Sequence, residues 1–150
     1  DLAEFYLTLH EAADPAMRLA RVEELVKERP EHPESRLLVA RAAMAAGDLP
    51  LARRQLDALI GDRPKAAAGP RAAKLMAELE ERQYGDGASA REWLLKAATA
   101  APDPAWSCGN CGWQGAAWNI RCPACGSFDT LHWRNPAAAA PALLTQAPPA

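Results

Sequence analysis

The sequence predicts a mostly α-helical protein, a solenoid of αα-hairpins, followed by a small β-unit that contains every cysteine. Residues 1–103 are rich in Ala, Leu, Arg and Glu and place apolar residues three and four positions apart, as amphipathic helices do. The four cysteines all follow this segment, and the aromatic runs GWQGAAWNI and SFDTLHW, between and after the cysteine pairs, have the length of strands in a small antiparallel ribbon. We therefore predict a helical solenoid over 1–103, a cysteine ribbon over 104–135 and a disordered Ala/Pro tail over 136–150.

An internal repeat refines the helical prediction. The segment from Pro33 to Pro64 follows the register of a tetratricopeptide repeat, with small residues at Ala40 and Ala52 where two helices approach and Gly47 at the turn between them. Similar copies before and after it indicate about three helix pairs. Because one pair cannot bury its apolar face alone, the pairs are expected to stack.

Glycines and prolines mark the expected helix ends. We expect Gly47 and Gly85 to end first helices in a left-handed conformation, which glycine adopts without strain. Proline cannot continue a helix, so Pro30, Pro64 and Pro102 are expected to stop the second helices.

The concave face of such a solenoid, formed by the first helix of each pair, is the surface that usually binds other proteins. The first pair contributes Leu7, His10 and Glu11. The candidate partner-binding residues of the other two pairs are Leu37, Arg41, Met44, Lys74 and Glu78. Arg41 and Met44 are suited to hold a peptide's carboxylate and apolar side chain, and the alternative is an ordinary solvated face.

Charge argues against nucleic acid as a partner. The chain has 17 Lys and Arg against 19 Asp and Glu, and the ribbon carries only Arg121 and Arg134 as cations. No apolar run of about 18 residues is present, so neither a membrane span nor a signal peptide is visible. Since the sequence begins at Asp1 without an initiator Met, we expect a fragment of a longer protein whose membrane anchor could lie upstream.

The stretch WSCGNCGWQGAAWNIRCPACG predicts a metal site. Its C-x2-C-x10-C-x2-C spacing can place the thiolates of Cys108, Cys111, Cys122 and Cys125 around one tetrahedral ion. A structural Zn2+ is the favoured ion, iron in an electron carrier is one alternative, and disulfides are another. Four cysteines leave no open coordination position, so we predict no catalytic residue and no enzyme activity.

Tryptophans surround this motif. A ribbon of this size has too small a core to fold alone, so a bound ion would contribute folding free energy directly. The candidate docking residues are Trp93 in the last helix and Trp106, Trp113, Trp118 and Trp133 in the ribbon. We expect them to pack around the metal site and to dock the ribbon on the last helices.

The order of these parts resembles two families of bacterial inner-membrane repeat proteins. The cysteine spacing is similar to that of the lipopolysaccharide assembly protein B family, and the segments AREWL, DPAW and FDTLHW resemble the HemY-type family of alphaproteobacteria, which we favour. The HemY-type family is linked to heme biosynthesis by its name. Both resemblances imply an N-terminal anchor, a repeat region on the cytoplasmic face of the inner membrane and a rubredoxin-type metal ribbon. The first also implies recruitment of a lipid A deacetylase to a membrane protease.

If the ribbon caps the solenoid, Cys122→Ser will lose the metal and also lower the helical melting temperature. Circular dichroism at 222 nm during heating measures the helices, and Asn119→Ser in the same ribbon serves as the control. An unchanged helical melt of Cys122→Ser would mean that the ribbon is an independent, tethered module.

Overall fold

A computed structural model describes residues 14–61, 69–85 and 87–136. The chain divides between Ala101 and Pro102 into two compact units. We call the described residues before this division the helical unit and those after it the ribbon unit. Leu7, His10, Glu11, Pro64 and the predicted disordered tail from residue 137 onward lie outside the described residues.

The described part of the helical unit contains five helices. They are α1 (Pro15–Val26), α2 (Pro33–Ala46), α3 (Leu49–Gly61), α4 (Pro70–Tyr84) and α5 (Gly87–Thr99). Each helix packs on the next one in the chain, and α2 also contacts α4. The predicted mostly α fold is confirmed as two αα-hairpins, α2–α3 and α4–α5, preceded by α1. No helix among the described residues is both long and apolar enough to cross a membrane.

Glycines end the first helix of each hairpin, as predicted. Gly47 has a φ of 80° and its N–H donates to the Met44 carbonyl, while Gly85 has a φ of 62° and donates to the Glu81 carbonyl. A residue with a side chain would pay roughly 1–2 kcal/mol at such a φ. The second helices end before their prolines are reached: α1 ends at Val26, ahead of Pro30, and α5 ends at Thr99, ahead of Pro102.

The core of the helical unit is built around alanines. The small residues expected at helix contacts, Ala40 and Ala52, are buried, and so are three further alanines: Ala77, Ala90 and Ala97. Short side chains allow helix axes to approach closely, and the remaining space is filled by larger residues such as Leu56, Met76 and Leu79. The predicted packing role of the small residues is therefore confirmed.

Two arginines join the hairpins across this core. Arg53 of α3 donates to Glu80 at 2.8 Å and to Gln83 at 2.9 Å, both on α4. Arg71 of α4 donates to both carboxylate oxygens of Glu34 on α2, at 2.9 and 2.6 Å. Because all of these groups are partly buried, the pairs are better shielded from solvent than ordinary surface ion pairs. They fix how the two hairpins stack.

The ribbon unit contains a three-stranded antiparallel sheet in its described residues. Its strands are β1 (Ala105–Cys108), β2 (Gln114–Gly115) and β3 (Leu131–Arg134), in the order β2-β1-β3. Trp106 pairs with Trp133 across β1 and β3, and the two rings meet edge to face with centroids 5.5 Å apart.

The sheet differs in part from the sequence-based expectation. The run GWQGAAWNI forms a strand only at Gln114–Gly115, and the central strand, β1, ends at the first cysteine, Cys108. β1 is central because Trp106 has a cross-strand partner on each side, Gly115 of β2 and Trp133 of β3. The expected strand in SFDTLHW is present as β3.

We expect Leu56→Ala to destabilise the helical unit by about 2–5 kcal/mol, because Leu56 is fully buried and its truncation leaves a cavity. Denaturant unfolding followed at 222 nm measures the change. Leu95→Ala is the matched control: Leu95 is 68% exposed, so its loss should cost less than about 0.5 kcal/mol. Equal losses from the two variants would contradict this core assignment.

Candidate metal centre

The four cysteine sulfurs converge on one point of the ribbon unit. All four Sγ atoms lie within 4.8 Å of one another. Cys108 Sγ lies 3.8 Å from Cys125 Sγ, and Cys111 Sγ lies 3.6 Å from Cys122 Sγ. These distances far exceed the roughly 2.05 Å of a disulfide bond, and the four cysteines are free. The structure brings together the whole predicted ligand set.

Two equivalent turns present the sulfurs. The Gly112 N–H donates to the Cys108 carbonyl at 3.0 Å, and the Gly126 N–H donates to the Cys122 carbonyl at 2.8 Å. Both glycines have positive φ, 76° and 72°. Each glycine follows the second cysteine of its pair and closes the turn onto the carbonyl of the first in a conformation that glycine adopts without strain, which explains why both cysteine pairs are followed by glycine.

The arrangement fits a tetrahedral metal ion. A tetrahedron with metal–sulfur distances of about 2.3 Å has sulfur–sulfur edges of about 3.8 Å, close to the two separations given above. Cys108 and Cys122 are buried, whereas Cys111 and Cys125 lie at the surface. Zn2+ and iron both bind four thiolates, so this set of sulfurs fits either ion.

Hydrogen bonds favour the thiolate form of Cys108. Burial raises the pKa of Cys108, but hydrogen bonds from the Thr130 hydroxyl and from the backbone N–H groups of Cys111 and Asn110 outweigh burial and lower it overall. Thr130 Oγ1 lies 3.2 Å from the sulfur and the Asn110 N–H donates to it at 3.4 Å. This buried ligand is therefore prepared to carry negative charge.

The two exposed cysteines have opposite tendencies. The hydroxyl and the N–H of Ser127 lower the pKa of Cys125 to about 6. The Trp113 N–H favours the thiolate of Cys111, but burial and the other three cysteines outweigh it and raise the pKa of Cys111 to about 12. Adjacent sulfurs resist ionising together, and a cation among them would favour all four thiolates.

Sequence reasoning missed three polar side chains at the site, those of Asn110, Ser127 and Thr130. Thr130 contacts the sulfur of Cys108, and Asn110 and Ser127 contact the sulfur of Cys125. The signal available in the sequence was the polar residue inside CGNCG and the hydroxyl residues in CGSFDT. Their contacts depend on how the two turns face each other, which cysteine spacing does not specify.

The candidate partner-binding residues fall into two groups. Leu37 and Met44 are 9% and 4% exposed and belong to the core of the helical unit. Arg41, Lys74 and Glu78 are exposed on α2 and α4. Of the five candidates, only these three charged residues are accessible to a partner at the surface. Partner binding stays a prediction.

The tryptophans have distinct surroundings within their own units. Trp106 and Trp113 pack against the cluster of Cys108, Cys122 and Leu131. Trp118 and Trp133, also in the ribbon unit, are exposed. In the helical unit, Trp93 packs against the core, and the Lys96 Nζ lies 3.9 Å from the centroid of its ring. Docking of the ribbon on the helices stays a prediction.

Together, the helices and the site define a class of protein: stacked αα-hairpins accompanied by a four-cysteine ribbon. Residues 10–79 match the model of the tetratricopeptide repeat family. Over 133 residues, 88% of the chain, the sequence is 38% identical to the probable magnetosome protein Mms48 of Magnetospirillum gryphiswaldense. The chain spans 28% of the length of that relative.

We expect Gly126→Val to weaken zinc binding roughly tenfold, because a β-branched residue at a φ of 72° costs about 1–2 kcal/mol and folding of the turn is coupled to metal binding. Competition with a chromophoric zinc chelator measures the affinity. Gly109→Ala is the control, since its added Cβ would meet its nearest neighbours at an ordinary 3.6 Å. Unchanged affinity in Gly126→Val would remove the proposed role of this turn.

Proposed function

We propose that this chain is a non-enzymatic scaffold for protein–protein interaction whose ribbon is stabilised by a structural zinc ion. The observation that carries the proposal is the pair of stacked αα-hairpins, the first of which lies within residues 10–79, the segment that matches tetratricopeptide repeats. Such repeats generally bind other proteins and do not catalyse reactions.

The surface of the first helices supports this proposal. Arg41 of α2 and Lys74 and Glu78 of α4 are exposed, and Glu78 also pairs with Arg82 at 2.5 Å. Charges of both signs suit a protein partner with complementary polar groups better than a polyanion. The ribbon also disfavours nucleic acid, because Arg121 donates to the Gly126 carbonyl and Arg134 to the Cys108 carbonyl.

The cellular setting is a finer part of the proposal. The resemblance of AREWL, DPAW and FDTLHW to the HemY-type family supports a scaffold at the cytoplasmic face of a bacterial inner membrane, held by an anchor outside this chain. The lipopolysaccharide assembly resemblance supports an alternative role in recruiting a lipid A deacetylase to a membrane protease. The name of the relative Mms48 supports a third setting, at the magnetosome.

A rubredoxin-like electron carrier is the rival from a different functional class. The cluster of four sulfurs is the observation that favours it, since iron binds the same ligand set. Metal analysis and a visible spectrum of the purified chain separate the two functions. One colourless zinc ion per chain supports the scaffold, whereas iron with a reversible loss of colour on reduction would overturn it.

Site-specific crosslinking in living cells tests the scaffold function. A photoreactive amino acid replaces Lys74 on α4 in one variant and the exposed Arg54 on α3 in a control. We expect specific proteins to be captured from position 74 and not from position 54, because the first helices form the binding face. Identical capture from both positions, or none from position 74, would contradict the proposed face.

The identity of the captured proteins tests the cellular setting separately. Heme-pathway enzymes would support the HemY-type role. A lipid A deacetylase or a membrane protease would support envelope assembly, and magnetosome proteins would support the setting of the relative.

A further inference from the structure

Asn110 lies inside the first cysteine pair, between Cys108 and Cys111, and contacts one cysteine of each pair. Its backbone N–H donates to Cys108 Sγ at 3.4 Å, and its side-chain Nδ2 donates to Cys125 Sγ at 3.6 Å. Cys108 belongs to the first pair and Cys125 to the second. A single residue thus connects ligands that are 17 positions apart in the sequence.

The Asn110 side chain also orients a second donor. Asn110 Nδ2 donates to Ser127 Oγ at 2.9 Å, and Ser127 Oγ lies 3.3 Å from Cys125 Sγ. A metal-bound thiolate can only accept hydrogen bonds, so its contact with Ser127 requires the hydroxyl proton to point at sulfur. The N–H of Asn110 occupies a lone pair of the same hydroxyl oxygen and favours that orientation.

We propose that Asn110 is a positioning residue of the metal site, which holds Cys125 in place both directly and through Ser127 and thereby sets how tightly the ribbon retains its metal ion. This inference rests on the metal-binding part of the proposed function. It does not depend on whether the helical unit binds proteins.

The amide is the group that this position requires. A carboxylate has the same shape but no N–H to donate, and its charge would face a thiolate and the lone pairs of a hydroxyl. Cys125 is exposed, so its bond to the metal receives less protection from packing than that of the buried Cys108. Hydrogen bonds are therefore a larger part of what holds Cys125.

The test compares Asn110→Asp with the unaltered full chain. We expect zinc affinity, measured by chelator competition, to fall about 10- to 100-fold, the usual effect of losing a hydrogen-bond partner of a metal ligand. Ser127→Ala should weaken binding less, because it leaves the direct contact from Asn110 in place. In the double variant Asn110→Asp/Ser127→Ala the losses should be less than additive, because Asn110 acts partly through Ser127.

Cobalt substitution supplies a readout that a general loss of stability would not move. Fewer hydrogen bonds raise the energy of the thiolate lone pairs, so the sulfur-to-cobalt charge-transfer band should move to longer wavelength in Asn110→Asp and Ser127→Ala. The control is Asn119→Asp, an exposed ribbon asparagine whose side chain donates to the Ala117 carbonyl and not to sulfur. Its affinity and spectrum should match those of the unaltered chain.

Several outcomes separate this inference from its alternatives. Zinc affinity within twofold of the unaltered chain, with an unmoved charge-transfer band, would overturn it. If Asn110→Asp fails to fold, Ser127→Ala decides the question, since it removes only a hydroxyl: unchanged affinity and spectrum there would overturn the relay. If the unaltered chain binds neither zinc nor cobalt, the proposed metal site is wrong. That outcome differs from failure of the Asn110 proposal, in which the unaltered chain binds the metal and the variants bind it equally well.

Discussion

Mutual repulsion among four thiolates is the constraint on which the ribbon unit depends. Four sulfurs within 4.8 Å cannot all carry negative charge at low cost unless a cation lies between them. The opposite pKa tendencies of Cys111 and Cys125 express that conflict. The other two cysteines, Cys108 and Cys122, form the buried cluster of the ribbon together with Leu131. A metal ion bound among these sulfurs would therefore stabilise the fold of the ribbon directly.

The helical unit solves its packing problem differently. Its alanines, such as Ala40 and Ala52, allow close approach of helices, but they bury little apolar area each. The interior therefore also needs larger residues, of which Leu56 and Met76 are examples. Arg53 adds polar contacts between hairpins, so the relative orientation of α3 and α4 is fixed by geometry as well as by burial.

The sequence predicted those features that follow from local chemistry. Gly47 and Gly85 end helices because glycine, which has no Cβ, adopts a positive φ without strain. The cysteine ligands were identifiable because their spacing reflects the turns that hold them. Strand β1 was missed because its stability comes from pairing with β3, distant in the sequence. Asn110 was missed for the same reason: its contact with Cys125 exists only once both turns have formed.

The distribution of charge connects the two units to the proposed function. On the ribbon, Arg121 and Arg134 hold backbone carbonyls, while Trp118, Ile120 and Phe128 are at least half exposed. That surface is apolar around a closed metal site and offers neither a phosphate-binding patch nor an open coordination position. On the helical unit, the exposed Arg41, Lys74 and Glu78 lie on α2 and α4. Charges of both signs there, and the apolar side chains on the ribbon, support the proposed contact with proteins over nucleic-acid binding.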